Sequence, residues 1–144
     1  MTTVHAHRAL LPDGWAADVS IQVDAAGRIA AVAAAGPGTP AAVLVPGMPN
    51  VHSHAFQRAM AGRAEQAGHG LDSFMTWRER MYSLSHQVSP DDIEAIATLL
   101  YVEMLEAGYT SVCEFHYLHH GPDGTPNGDP AATSRALIRA AASA

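Results

Sequence analysis

The sequence predicts an α/β fold in two parts: a small antiparallel sheet, then the first units of a parallel sheet with helical crossovers. Three observations lead there. The stretch from Asp18 to Asp24 alternates apolar and polar residues, the pattern of a half-buried strand. Val43-Leu-Val45 is a continuous, mostly β-branched run, as expected of a strand covered on both faces. From there the order reads strand, long loop, helix, strand, loop, helix, which is a β/α repeat.

In the first part, Ala9-Leu10-Leu11 reads as a short strand. Pro12-Asp13-Gly14 is a turn, because Pro presets φ and Gly accepts a positive φ. Ala26-Gly27 is a second turn, and Arg28 to Val32 resumes extended structure. Ala35-Gly-Pro-Gly-Thr-Pro40 is loop by composition. After Val45, residues Pro46, Gly47 and Pro49 interrupt regular pairing before the chain reaches His52-Ser53-His54.

Gly62, Gly68 and Gly70 mark a loop, and Ser73 to Tyr82 reads as a short helix. The clearest element opens at Ser89-Pro90-Asp91-Asp92. Ser is a strong N-cap, Pro suits the first helical position, and acidic residues favour the positive end of the helix dipole. Ile93, Ile96, Ala97, Leu100, Tyr101, Met104 and Ala107 then form one apolar face, and Gly108 is the expected stop. Thr110 to Tyr117 reads as a further strand, and 121–130 as a Gly/Pro loop. Asp129-Pro130 or Thr133 opens a last helix over 131–144. Two β/α units cannot cover both faces of their sheet, so the sequence is expected to be the N-terminal part of a longer protein.

Composition narrows the function classes. The 144 residues carry a net charge of −6, and all eight basic residues are Arg. No basic stripe suits a nucleic acid and no polybasic patch suits an anionic membrane. The single Cys113 has no internal partner, which fits a reducing compartment. The N-terminus lacks the charged start and apolar core of a signal peptide, so a cytoplasmic protein is the expectation.

His52 and His54 are the strongest chemical signal. On a strand, alternate residues face the same way about 6.6 Å apart. With Zn–N bonds of about 2.0–2.1 Å, both rings can lean onto one ion. Spacing alone leaves metal ligands and ordinary histidines equally open. His5-Ala-His7 has the same spacing, but it sits near the N-terminus without a buried strand before it and reads as exposed. The setting of His52 and His54 differs, because the C-terminal end of a parallel strand is where α/β folds build sites.

Pro46-Gly-Met-Pro-Asn-Val-His-Ser-His54, followed by Glu103-Met-Leu-Glu-Ala-Gly-Tyr-Thr110, resembles the amidohydrolase superfamily of metal-dependent (β/α)8-barrel hydrolases. More narrowly, the segments Asn50–Glu65, Ser73–Tyr82 and Gly108–His120 together resemble the formimidoylglutamate deiminase family within it. The resemblance runs from about Leu10 to the end. It implies a partial β-sandwich domain over 1–45, completed by C-terminal strands in the family, and the start of a TIM barrel over 46–144. The implied reaction is hydrolysis of N-formimidoyl-L-glutamate to N-formyl-L-glutamate and ammonia. In this resemblance His52 and His54 are ligands of a divalent metal, most simply Zn2+, although two histidines do not tell zinc from iron or manganese. Gln57, Arg78 and Tyr117 match substrate-contacting positions, fitting a small molecule with carboxylates. The remaining ligands and the general acid/base groups are expected beyond Ala144; members of the family are often homodimers, but the oligomeric state is not readable from this sequence.

Other readings stand beside these. Arg78 next to Glu79 and Arg80 also fits a solvated helix face, and Tyr117 also fits packing. His116, His119 and His120 read as structural, or as partners of ligands rather than ligands. Cys113 reads as a small buried hydrophobe, Trp15 and Trp77 as packing, and His69 and His86 as surface. Glu114 is a candidate partner of a ligand, with no physical argument that fixes it. The rival functions are another aminohydrolase of the superfamily, such as one acting on guanine, and a non-catalytic fragment with too few ligands.

Overall fold

The computed structural model describes residues 1–35, 39–64 and 73–144. The expectations at Gly68, His69 and Gly70, and at the centre of the Gly36-Pro37-Gly38 loop, lie outside the described residues. The chain divides into two compact units, Met1–Gly47 and Met48–Ala144.

The first unit is a four-stranded sheet of β1 (Thr2–Leu11), β2 (Gly14–Val23), β3 (Ile29–Ala34) and β4 (Thr39–Leu44), in the order β3-β2-β1-β4. The two predicted turns join β1 to β2 and β2 to β3, and Gly14 and Gly27 have φ of 115° and 76° there. Asp24 seals the second turn by accepting from the backbone N–H groups of Ala26 and Arg28. The core is small: Ala6, Ala9, Val19 and Ile21 are buried, with Leu11, Ala16, Val23 and Leu44 against them.

Two expectations fail in this unit. His5 and His7 do not lie in an unstructured N-terminal stretch, since β1 is an inner strand from Thr2 onward and pairs with both β2 and β4. His5 and His7 therefore sit within a sheet. Val43–Val45 is not a strand covered on both faces. Val43 and Leu44 end β4, an edge strand of this sheet, with Val45 just past it, and Val43 and Val45 are 55% and 53% exposed. Three apolar residues in a row specified extended structure but not which sheet would take them.

The second unit holds β5 (Met48–Ser53), a 3-10 helix (Ala55–Met60), α1 (Phe74–Ser85), α2 (Pro90–Glu106), β6 (Tyr109–Glu114) and α3 (Ala132–Ser143). β5 and β6 pair in parallel, with irregular register after Met48 and after Asn50. Pro46 and Gly47 lie between β4 and β5, as expected of an interruption, whereas Pro49 lies within β5 and accompanies a distortion of its ladder.

α1 and α2 begin as their sequences dictate. Ser73 caps α1 and Ser89 caps α2, each in a reciprocal capping box, with Thr76 and Asp92 as the returning side chains. Gly108 ends the α2 region at φ 88°. Ile93, Ala97, Tyr101 and Met104 are buried against Ala136, Leu137 and Ala140 of α3, with Ile96 and Leu100 partly buried beside them. Ala107, expected on that face, is exposed as the C-cap. Asp129 organises the start of α3: it accepts from the backbone N–H of Ala131 and pairs with Arg135 at 2.8 Å. A second cluster of Phe56, Met60 and Met81, with Trp77 and Tyr117 against it, fixes the 3-10 helix to α1.

Cys113 is exposed rather than buried, because β6 has one neighbour strand among the described residues. Trp15 is 53% exposed and lies under the Arg8 guanidinium, 5.1 Å from its carbon, so it is a stacking partner more than a core residue.

Candidate active site

Parallel pairing brings the C-terminal ends of β5 and β6 to the same edge, with Ser53 opposite Glu114. The chain leaving each strand is tied to the other. The Phe115 N–H donates to the Ser53 carbonyl at 2.9 Å, and the Ala55 N–H donates to Glu114 Oε1 at 2.8 Å. Tyr101 of α2 approaches Glu114 Oε2 at 3.5 Å. Burial first, then the Glu114 charge, pushes the Tyr101 phenol well above its usual range, so it stays protonated and can donate.

This brace positions His52 and His54. Their Nε2 atoms are 3.0 Å apart, with rings 4.8 Å between centroids and nearly perpendicular. His54 Nδ1 lies 2.7 Å from the Phe115 carbonyl oxygen. A carbonyl can only accept, so Nδ1 carries the proton and a neutral His54 has its lone pair on Nε2. That nitrogen is the one beside His52. The His52 backbone N–H is held by Asn50 Oδ1 at 3.0 Å, and the Asn50 amide reaches back to the Met104 sulfur.

Two ligands of a tetrahedral zinc stand about 3.3 Å apart. The observed 3.0 Å between the two Nε2 atoms is close to that spacing. Without a cation, one ring must donate a proton to the other. The chemistry of the pair and the tautomer of His54 therefore fit a divalent metal. Among the described residues, no third His, Cys, Asp or Glu joins them in a ligand cluster.

Gln57 and Tyr117 meet one side of this pair. The Gln57 backbone N–H bonds the His54 carbonyl, and its amide Nε2 donates to the Tyr117 hydroxyl at 2.6 Å. The Tyr117 ring lies 5.1 Å from the His54 ring and packs edge-on against Phe56. Tyr117 has φ 39°, a left-handed backbone that turns its side chain toward Gln57 three residues after β6 has ended. Burial raises its pKa, more than the Gln57 hydrogen bond lowers it. Its hydroxyl donates to the Met81 sulfur at 3.1 Å, a weak acceptor.

Arg78 lies on α1 one turn before Met81. Its Nε and Nη2 both donate to the Tyr82 hydroxyl, at 2.9 and 2.7 Å, and its guanidinium stacks on that ring. The structure thus brings His52, His54, Gln57 and Tyr117 into direct succession and holds Arg78 on the helix that touches Gln57 and Tyr117 through Met81. The 3-10 helix is anchored in turn by a two-bond ion pair from Arg58 to Glu103 of α2 at 2.7 Å.

Sequence reasoning offered Glu114 only as a candidate partner of a ligand, with no argument to fix it, and it did not foresee the Phe115 carbonyl or Tyr82. Backbone carbonyls leave no trace in residue identity. Tyr82 at i+4 from Arg78 was the one available signal. His116 is not with the metal pair: its ring contacts His119 at 4.9 Å and its Nε2 is 3.4 Å from Ser134 Oγ. Burial, then the neighbouring His119, lowers its pKa. His119 and His120 are exposed and, with His86 and Tyr117, border a cleft of about 120 Å³. A hollow of about 280 Å³ between the 3-10 helix and α1 includes neither His52 nor His54.

The model of the amidohydrolase family matches residues 43–144, and the model of the formimidoylglutamate deiminase HutF N-terminal domain matches residues 1–41. The chain is 52% identical to the formimidoylglutamate deiminase of Pseudomonas aeruginosa, over 100% of its own length and 33% of that enzyme. It therefore spans about a third of its curated relative. The crystal structure of an amidohydrolase from Brucella melitensis matches with a TM-score of 0.89 at 47% identity, over 99% of this chain and 32% of that one. A mutant of the atrazine chlorohydrolase TrzN from Arthrobacter aurescens TC1, complexed with zinc and atraton, matches with a TM-score of 0.75 over 99% of this chain and 33% of that one. Its 21% identity makes that a likeness of fold alone. From the family match over residues 43–144, together with the histidine pair at the end of β5, the chain belongs to the amidohydrolase family.

Proposed function

We propose that this chain carries the first part of a zinc-dependent active site that hydrolyses N-formimidoyl-L-glutamate to N-formyl-L-glutamate and ammonia. The observation behind this is the pair of Nε2 atoms 3.0 Å apart, with His54 fixed through Nδ1, in a chain 52% identical to a formimidoylglutamate deiminase. His52 and His54 would hold the metal, with further ligands supplied from outside these 144 residues. A zinc ion in such a site lowers the pKa of bound water toward about 7 and so supplies hydroxide near neutral pH.

The chain's own residues bind and orient. The Tyr117 hydroxyl gives its proton to a thioether, so a substrate carboxylate oxygen is a better acceptor and displaces Met81 from it. Gln57 holds the hydroxyl in place through its amide. Arg78 spends two N–H groups on a neutral phenol, and a carboxylate competes for that fork with full charge. Met1–Gly47 belongs to a composite β-sandwich in this reading, and β5 and β6 are the first two strands of a TIM barrel. Val51 and Phe115, 78% and 64% exposed, are the apolar positions its other elements would cover.

Ammonia release from N-formimidoyl-L-glutamate by the zinc-loaded protein that contains this chain tests the proposal, with guanine as the comparison. Turnover of the formimidoyl substrate alone is expected. A preference for guanine, a neutral purine, would remove the carboxylate roles of Arg78 and Tyr117.

A further inference from the structure

The histidines dismissed by the sequence reading, His5 and His7, lie on one face of β1 inside the first unit. With Asp18 of β2 they offer ligand atoms all within 4.8 Å of one another. Asp18 stands opposite His7: the pairs Ala6↔Val19 and Arg8↔Ala17 bracket them, and the regular ladder skips the pair between. At this point the buried face of the hairpin changes parity, from Ala6 and Val19 to Ala9 and Ala16. Asp18 absorbs the change with φ 48°, a left-handed conformation that Asp tolerates better than most residues.

The result is a convergence of side chains with little else to bind. His7 Nδ1 is 3.6 Å from Asp18 Oδ1, too long for a hydrogen bond, and the His5 and His7 rings are 5.9 Å apart. His5 Nδ1 is buried and has no hydrogen-bond partner among the described residues. Arg8, the one Arg on β1, is stacked on Trp15. Two imidazoles and a carboxylate are a donor set for a borderline divalent cation, with a further position left for water. Ligand atoms around zinc stand about 3.3 Å apart. His7 and Asp18 are each 65% exposed, so their side chains can rotate to close the remaining gap.

We propose that His5, His7 and Asp18 form a zinc site that clips β1 to β2. The site uses no residue of the His52–His54 pair and does not rest on the deiminase reading. The test is zinc titration by calorimetry of the chain carrying His52→Ala and His54→Ala. One zinc per chain is expected, with a rise in Tm. Adding His7→Ala, or Asp18→Asn (which keeps the left-handed backbone comfortable), should weaken binding at least about tenfold and abolish the Tm rise, since each removes one of three ligands. No zinc uptake in the double variant, or uptake that ignores His7→Ala and Asp18→Asn, overturns the proposal. Should the double variant fail to fold, imidazole NMR of the unsubstituted chain reads the same point. Zinc-dependent shifts of the His5 and His7 rings support the site, and unchanged rings overturn it. Loss of zinc at His52 and His54 instead would bear only on the deiminase reading.

Discussion

At the scale of single residues, a few bonds decide what His52 and His54 can do. The Phe115 carbonyl fixes which nitrogen of His54 carries the proton, and Glu114 fixes the backbone immediately after it. Replacing Glu114 by Ala strands the Ala55 N–H and removes the acceptor facing Tyr101. Zinc affinity of the pair should fall about tenfold or more, as when other orienting partners of ligands are lost, measured by competition with a chromophoric chelator. Glu114→Gln keeps a carbonyl acceptor and should recover most of it. Tyr117→Phe removes the hydroxyl that Gln57 and Met81 hold beside His54. If the proposed deiminase function holds, the full enzyme carrying this change should show a KM for N-formimidoyl-L-glutamate roughly tenfold higher, in line with about 1–1.5 kcal/mol for a hydrogen bond, with kcat changing less.

At the scale of elements, helix boundaries are local decisions. Ser89→Ala removes the cap of α2 and should cost about 1 kcal/mol in urea denaturation. The same cap is pH-sensitive. The Ser89 side-chain and backbone bonds hold the Asp92 carboxyl below its ordinary pKa. A depressed folded pKa gives stability that is present above the unfolded value, about 3.9, and lost as pH falls through the folded one. Stability should therefore decline below about pH 4, and less steeply in Asp92→Asn. Gly108→Ala meets only the Met48 Cε at 3.8 Å, an ordinary contact, so its cost is backbone strain at φ 88°. About 1–2 kcal/mol is expected. These features were legible in the sequence because a cap, a Pro at the first turn and a terminal Gly act within a few residues. The 3-10 helix after His54 was not legible, since its six residues have no periodicity long enough to read.

At the scale of the molecule, each unit has its own core. Ile93, 1% exposed, lies where α2 meets α3, and Ile93→Ala should cost about 2–5 kcal/mol by chemical denaturation. Strand assignment is where the sequence reading erred. Val43–Val45 reads in the sequence as the buried strand that leads to His52 and His54, but it belongs to an edge strand of the first unit, and the histidines lie on β5 of the second, beyond the interruption at Pro46 and Gly47. By itself the sequence determined the α-helices and turns and singled out His52 and His54, because these depend on residue type and short spacing, whereas Gln57, Arg78 and Tyr117 stood out only through the family resemblance. Only the tertiary structure decided which strands pair, which His54 nitrogen is available, that Glu114 braces the loop after it, and that His5 and His7 meet Asp18. Each of those joins atoms distant along the chain, or backbone groups that every residue has, and so leaves no mark in a single sequence.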